Sequence, residues 1–165
     1  MQNKSLEKIV VSTTVGRLRN RPSFEDKILP AIANDLAIIT GQKPSIRSAK
    51  KSIAGFKIRE GDIVGLKVTL RGKRMENFLK KFVEVSLPRV RDFRGIDTKA
   101  IDAQGNLTIG VGEHIVFPEV NPDETKIDFG LEVTLVSNTK DRGESYKLFK
   151  SLGVPLMKEE VDEKK

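Results

Sequence analysis

The stretch IVGLKVTLRGKRMENFLKKFVEVSLP, residues 63–88, places a strand pattern directly before a helix pattern. One face of the strand carries four aliphatic side chains, Val64, Leu66, Val68 and Leu70. The opposite face carries Lys67, Thr69 and Arg71, because successive side chains of a strand point to opposite sides. Apolar residues then recur at helical spacing over residues 75–83, and Pro88 is predicted to end the helix. This unit predicts a sheet with one face in a core and the other face polar and basic.

Further strands and helices are predicted on both sides of this unit. The strand pattern, short and rich in β-branched residues, recurs at residues 6–11, 45–49, 107–111 and 126–137. Helical spacing recurs at residues 23–39 and 141–152. In the first of these helices, Ser23 is a candidate N-cap, Gly41 a stop signal, and Pro30 predicts a kink or a late start.

These elements predict an α+β fold, with a mainly antiparallel sheet, helices packed on one face and a long basic hairpin loop at residues 50–62. Residues 112–125, which include two prolines, are predicted to form a second long loop. Residues 1–157 are expected to form a single domain, and residues 158–165 a charged, disordered tail.

The composition excludes several classes of protein. The chain of 165 residues has no cysteine and a single histidine, His114. Disulfides, thiolate metal sites and a cysteine nucleophile are therefore excluded, and no cofactor is predicted. No apolar run reaches the ~18 to 20 residues of a membrane span, and the start lacks a signal-peptide core, so we expect a soluble, cytosolic protein without a membrane partner.

The positive charge of the chain is concentrated in its middle. The net charge is +7, from 30 Lys and Arg against 23 Asp and Glu residues. Residues 40–94 contain fifteen of these cations and only five of the acids, so this segment is +10 and the remainder is −3. One strongly positive region on a mildly acidic chain predicts a polyanionic partner at a defined surface.

Nucleic acid is the polyanion that this segment favours. A membrane surface prefers a helix with separate basic and apolar faces, whereas the apolar stripe of residues 75–83 is predicted to be core. There is no recognition-helix pair, zinc motif or heptad repeat for DNA, and a polar, basic sheet face suits RNA. Most of the eight phenylalanines fall on core stripes. Phe56 is the exception, and it is either part of a small satellite core or a tip that stacks on a base.

An RNA-processing enzyme is the alternative function. It would use the basic middle to bind its substrate, and His114 with Glu113 or Asp102 as acid and base. His114 has no cysteine or second histidine with which to share a metal, and a lone histidine is more often a surface or core residue. The residues therefore favour a binding protein over an enzyme.

Several long motifs resemble a single protein family. They are ITGQKPSIRSAKKSIAGFKIREG at residues 39–61, VTLRGKRMENFL at 68–79, LPRVRDFRG at 87–95, GNLTIGVGEHIVFPE at 105–119 and LGVP at 152–155. Together they resemble the universal large-subunit ribosomal protein that binds 5S rRNA, the fifth of the large-subunit series, in its bacterial form. The resemblance extends over residues 6–155.

The resemblance implies a structural protein of the ribosome, located in the cytoplasm. Such a protein anchors 5S rRNA in the central protuberance, and contacts 23S-type rRNA, the elbow of P-site tRNA and neighbouring ribosomal proteins, including one in the small-subunit head. Carried over motif by motif, the 5S rRNA site would consist of Lys8, Ser12, Gln42, Lys43, Lys67, Thr69 and Arg71. The hairpin loop would face tRNA through Lys50, Lys51, Ser52, Gly55, Phe56, Lys57 and Arg59.

Three departures from the family pattern qualify these expectations. Ser12 stands where the family usually has an asparagine, and serine cannot replace both hydrogen-bonding groups of an amide. The segment after Gly16 is longer than usual, and its Arg17, Arg19 and Arg21 would either extend the RNA surface or form a solvated loop. Family members carry a helix before the first strand, whereas this sequence starts almost at that strand, which predicts an exposed groove or sheet edge.

Overall fold

A computed structural model describes residues 5–125 and 127–158 of the chain. Most of the predicted charged tail, residues 159–165, lies outside these described residues. The five strands are β1 Leu6–Thr14, β2 Ser45–Ser48, β3 Ile63–Leu70, β4 Leu107–Val111 and β5 Leu131–Ser137. The three α-helices are α1 Leu29–Thr40, α2 Gly72–Lys81 and α3 Arg142–Ser151.

The strands form one antiparallel sheet in the order β2-β3-β1-β5-β4. β1 is the central strand, and it pairs with β3 on one side and with β5 on the other. β1 is therefore an interior strand, and the two edges of the sheet belong to β2 and β4. Gly65 of β3 lies so close to β1 that a Cβ there would be 2.7 Å from the carbonyl oxygen of Thr13.

All three helices contribute to one core on a single face of the sheet. Ile32, Leu36 and Ile39 of α1 are fully buried in the same cluster as Met75 and Phe78 of α2 and as Phe149 of α3. The sheet supplies the alternate residues predicted from its strand pattern, among them Leu66, Val68 and Leu70. The α+β fold with helices on one face of a mainly antiparallel sheet is confirmed.

The first helix begins later than its apolar pattern. Ser23 stands at the N-cap position of the turn that precedes this helix, but it has a φ of 61° and its side chain makes no capping hydrogen bond. Phe24–Ile28 form a π-helical turn, and α1 starts at Leu29 with Pro30 in its first turn, where the missing N–H has no helical partner to lose. Of the two alternatives predicted from Pro30, a kink or a late start, the structure shows the late start. Gly41, with a φ of 74°, ends the helix as predicted.

Two other boundaries differ from the sequence pattern. The second helix changes after Lys81 to a π-helical turn, Phe82–Ser86, and then to a 3-10 turn, Leu87–Arg89. The last strand starts at Leu131, because residues 127–130 are not extended in the sheet and residue 126 lies outside the described part. Residues 112–125 form the predicted loop, but this loop buries Phe117 against Phe78 and Phe82, at centroid distances of 6.1 and 5.9 Å.

Candidate nucleic-acid interface

The sheet face opposite the helices is polar, and no helix within residues 5–125 and 127–158 supplies a core there. We call it the open face, and its strand residues include Lys8, Val10, Ser12, Thr14, Ser45, Arg47, Lys67, Thr69, Thr108, Glu132, Thr134 and Val136. These side chains are half-buried or exposed, whereas their neighbours along each central strand are buried in the core. The polar, basic face predicted for β3 is therefore present, and it continues across the sheet.

Strand register sets the order of chemical groups across the open face. Ser12 of β1 lies directly between Lys67 of β3 and Glu132 of β5. At the β2 edge of the sheet, this row begins with Ser45, which pairs with Lys67. At the β4 edge it ends with Gly110, which pairs with Glu132. Positive charge therefore lies towards β2 and β3, and the one carboxylate of this row lies towards β4.

The next row of the open face is rich in threonine. It runs from Thr69 through Val10 and Thr134 to Thr108, and the hydroxyl oxygens of Thr108 and Thr134 are 3.4 Å apart. The sequence motifs identify Thr69 but not Thr108 and Thr134. Their alternation with buried residues in β4 and β5 is the signal that could have found them.

Gln42 is attached to the edge of this face from the turn after α1. Its Nε2 donates to the carbonyl oxygen of Thr69 at 3.1 Å, and its Oε1 accepts from Nη1 of Arg74 at 3.4 Å. Lys43 is exposed beside it, and the following Pro44 is buried. The structure thus brings Gln42 next to Thr69, as expected if both belong to one site.

Lys8 and Arg71 lie at one end of the open face. Ile9 pairs with Leu70, so the residue before Ile9 and the residue after Leu70 are neighbours at the same end of β1 and β3. Arg71 precedes α2 in an extended conformation; its side chain makes no capping hydrogen bond and is exposed. Its guanidinium is therefore available for a ligand.

Residues 50–62 form the predicted hairpin, which we call the basic arm. At its base, the amide of Ala49 donates to the carbonyl of Asp62 at 2.7 Å, and the amide of Gly61 donates to the carbonyl of Ala49 at 2.9 Å. Nearer the tip, Ile53 and Ile58 exchange two backbone hydrogen bonds of 2.8 and 3.2 Å. The arm is thus a short two-rung hairpin that extends from the start of β3.

The tip of the basic arm is an exposed 3-10 turn, Ala54–Phe56. Phe56 is 75% exposed, so the satellite core is excluded for this residue. Lys57 follows in the left-handed region with a φ of 53°. The remaining predicted arm residues, all of them exposed, are Lys50, Lys51, Ser52, Gly55 and Arg59.

The open face and the basic arm are separate surfaces. The arm ends at Asp62, immediately before β3, and Arg71 follows the other end of that strand. Eight strand residues at ~3.3 Å each place these two ends about 26 Å apart. The Arg71 end is therefore the part of the open face most distant from the arm, whereas Lys67 lies only five residues after Asp62.

The three arginines after Gly16 are not equivalent. Arg17 and Arg21 are exposed, whereas Arg19 is half-buried and contacts the basic arm at Lys57 and Asp62. Arg19 is therefore not simply part of a solvated loop, and a contact of the three arginines with RNA stays a prediction. A contact across 38 residues of sequence has no local pattern by which it could have been predicted.

His114 is a core residue and not part of an acid–base pair with the predicted carboxylates. It is fully buried, its ring stacks on Phe129 at a centroid distance of 4.0 Å, and its Nε2 lies 3.1 Å from both Asp35 Oδ2 and Thr125 Oγ1. Asp102 instead accepts hydrogen bonds from two backbone amides of its own turn. Glu113 is exposed. This geometry does not assemble the constellation that the enzyme alternative requires.

Two further classes of feature are absent from the described part of the chain. Within it, no three His, Cys, Asp or Glu side chains are placed to hold a metal ion. No helix there combines the length and the apolar character needed to cross a lipid bilayer.

Known proteins resemble the chain over most of its length. A family model described as ribosomal protein L5 matches residues 1–59, and one described as the C-terminus of the same ribosomal family matches residues 63–156. The chain is 50% identical over 151 residues to the large ribosomal subunit protein uL5 of Halothermothrix orenii, which covers 92% of this chain and 82% of that protein. It is 48% identical over 153 residues to the uL5 proteins of Helicobacter pylori and Helicobacter acinonychis, with 93% of this chain and 82% of each relative covered.

Proposed function

This chain belongs to the ribosomal protein L5 family, and from that premise we propose that its open face binds 5S rRNA and anchors it in the central protuberance of the large ribosomal subunit. Members of this family are structural, non-enzymatic, RNA-binding proteins of the large subunit that act in translation. The family also locates the chain in the ribosome, and so in the cytoplasm.

The observation that carries the proposal is the open face itself, a sheet surface without a covering helix in the described residues, on which cations alternate with hydroxyl groups. RNA is recognised largely by its shape and through its phosphates and 2′-hydroxyls. A broad surface with Lys67 beside Ser12, and with Thr69 in the next row, offers donors for both groups. A protein partner would instead favour an extended apolar centre, whereas Val10 and Val136 are the apolar side chains among the mainly polar strand residues of this face.

Individual roles follow from the chemistry of each side chain. The cations Lys8, Lys43, Lys67 and Arg71 would bind phosphates, and Arg71 can do so through two parallel hydrogen bonds. Ser12, Gln42 and Thr69 would donate to and accept from ribose hydroxyls or base edges. Because Gln42 already donates one amide hydrogen to Thr69, its second hydrogen is the one that remains for RNA.

The basic arm is proposed to reach P-site tRNA. Its exposed cations, Lys50, Lys51, Lys57 and Arg59, suit the phosphates of a second RNA, and exposed Phe56 can stack on a base or ribose. The distance of about 26 Å from the Arg71 end supports two ligands rather than one. Contacts with 23S-type rRNA and with neighbouring ribosomal proteins, including one of the small-subunit head, belong to the same proposal.

We also propose that residues 1–157 form one domain, followed by a charged tail. The single hydrophobic cluster joins residues of β1, β3, β4 and β5 to all three α-helices, which supports this division. An RNA-processing enzyme is not proposed, since the family is non-enzymatic and His114 is buried among structural partners.

The test is a mobility-shift titration of the full chain with 5S rRNA and with an unrelated structured RNA of equal length, repeated at several salt concentrations. We expect tighter binding to 5S rRNA at every salt concentration and a steep loss of affinity with salt, because each neutralised phosphate releases counterions. Equal affinity for the two RNAs would overturn the assignment to 5S rRNA and leave only general RNA binding.

A further inference from the structure

Arg19 connects two parts of the basic arm through one guanidinium group. Its Nη2 donates to the carbonyl oxygen of Lys57 at 2.8 Å, and its Nη1 lies 3.0 Å from Oδ2 of Asp62. Lys57 directly follows the tip turn, whereas Asp62 is the last residue before β3. Arg19 therefore holds the returning half of the hairpin at both of its ends.

The backbone turn that carries Arg19 is hydrogen-bonded to the sheet. The amides of Leu18 and Arg19 both donate to the carbonyl of Val15, at 3.0 and 3.1 Å, and the amide of Val15 donates to the carbonyl of Val64 in β3, at 2.9 Å. Val15 is fully buried, and Leu18 packs against the core. The guanidinium thus extends from a fixed turn, so its contacts constrain the arm relative to β3.

The contacts of Arg19 are partly shielded from water. The side chain of Arg19 is 17% exposed and that of Asp62 is 33% exposed. Asp62 Oδ2 also accepts from the amide of Arg59 at 2.8 Å. Nη1 of Arg19 has no hydrogen-bond partner, so Arg19 contacts Asp62 as an ion pair and Lys57 through a hydrogen bond. A planar guanidinium can approach both groups at once, which a lysine ammonium cannot do with the same geometry.

The rest of the arm has little else to hold it in place. Between the base and the Ile53–Ile58 rung, the described contacts include two bonds to side chains. The amide of Glu60 donates to the hydroxyl oxygen of Ser52 at 3.0 Å, and the amide of Arg59 donates to Asp62. Nearly all arm side chains are exposed, so the arm has no core of its own. A segment with few buried contacts opens readily unless a contact from outside restrains it.

We propose that Arg19 is a positioning residue that pre-orders the basic arm and neutralises Asp62, so that the arm presents its cations in one orientation before RNA binds. A pre-ordered arm loses less conformational entropy on binding, and pairing Asp62 removes a carboxylate that would repel phosphate. The consequence for tRNA rests on the function proposed above for the arm. The pre-ordering itself is a property of the free protein and does not depend on that function.

Amide hydrogen exchange on the free, full chain tests the pre-ordering. We expect Arg19→Ala to speed exchange at Ile53, Ile58 and Gly61 by about tenfold, the change that corresponds to ~1.4 kcal/mol of lost restraint, with β1 and β3 unchanged. Arg17→Ala and Arg21→Ala remove the same charge from the same segment and should leave arm exchange as it is. Arg19→Lys should lie between, since lysine keeps the charge but loses the forked contact.

Exchange in the arm that is equal in Arg19→Ala and in the two control variants would overturn the proposal. Should Arg19→Ala also loosen β1 and β3, Asp62→Asn provides the second variant, because it removes the charge while keeping the side-chain shape. Amide hydrogen exchange in the arm that is unchanged in Asp62→Asn would likewise contradict the proposal that the ion pair between Arg19 and Asp62 restrains the arm.

tRNA binding to large subunits reconstituted with each variant distinguishes positioning from direct contact. Arg19→Ala should weaken binding by about fivefold and leave the salt dependence unchanged, whereas Lys57→Ala should lower the salt slope by about one. A lower slope for Arg19→Ala would show that Arg19 binds phosphate itself, against the proposal. If substitutions in the basic arm leave the tRNA affinity of the subunits unchanged, tRNA is not the ligand of the arm. The hydrogen-exchange result still decides whether Arg19 pre-orders the arm.

Discussion

Gln42, in the turn after α1, donates its side-chain amide to the main-chain carbonyl of Thr69 on β3 across 3.1 Å. The family resemblance assigns both residues to one proposed RNA site, and this hydrogen bond joins them in the structure. Gln42 therefore has two roles, since it fixes the α1–β2 turn to the sheet and offers its remaining amide hydrogen at the edge of the open face.

Replacing Gln42 should affect both stability and binding. Gln42→Ala removes the bond to Thr69, so we expect the free energy of unfolding in urea to fall by about 1 kcal/mol and 5S rRNA affinity to fall as well. Gln104→Ala is a matched control, because the Gln104 side chain is exposed and its backbone amide, which the substitution keeps, makes the bond to Asp102. Unchanged stability in Gln42→Ala would show that the bond to Thr69 contributes nothing.

Replacing Ser12 by asparagine, the residue usual in the family, tests the effect of this departure on RNA binding. Ser12 lies between Lys67 and Glu132 on the open face, where the resemblance implies an asparagine. Ser12→Asn should strengthen 5S rRNA binding by about 1 kcal/mol, roughly fivefold, because an amide both donates and accepts. Ser151→Asn makes the same replacement at an exposed position of α3, on the helix side of the sheet, and should have no such effect. Weaker binding by Ser12→Asn would contradict the assigned position.

Arg71 should contribute a phosphate contact. We expect Arg71→Ala to weaken 5S rRNA binding about tenfold and to lower the slope of log affinity against log salt by about one. Lys147→Ala removes an exposed cation from α3, on the helix side of the sheet, and serves as the control. A tenfold loss with an unchanged slope would indicate that Arg71 acts through the fold and not through a phosphate.

His114 should matter for folding and not for turnover. His114→Ala removes a buried ring that stacks on Phe129 and leaves Asp35 without its histidine partner, so we expect a loss of about 2–4 kcal/mol in unfolding free energy. Glu113→Ala, next to it but exposed, should be close to neutral. RNA cleavage by the wild-type chain that disappears in His114→Ala would revive the enzyme alternative.

The local parts of the fold could be predicted from sequence, because side-chain alternation and helical spacing are local properties. The pattern of residues 63–70 predicted that Leu66, Val68 and Leu70 are buried, although Val64 is only half-buried. Gly41 predicted the end of α1. Ser23 stands at the N-cap position of the π-helical turn and not of the α-helix, which starts later, at Leu29 with Pro30 in its first turn.

The contacts that complete the site could not be predicted, because they join distant parts of the sequence. The bond from Arg19 to Lys57 spans 38 residues, and that between His114 and Asp35 spans 79. Likewise Phe117 enters the core from a loop without regular apolar spacing. Only the folded sheet reveals that Ser12, Lys67 and Glu132 form one row.

The most direct test of the central claim, that the open face and not the basic arm binds 5S rRNA, is a comparison of dissociation constants for Lys67→Glu and Lys57→Glu. Both variants reverse one charge, the first on the open face and the second at the arm tip. We expect Lys67→Glu to weaken 5S rRNA binding by at least about tenfold and Lys57→Glu by less than about twofold at the same salt concentration. The opposite order of effects would contradict the account.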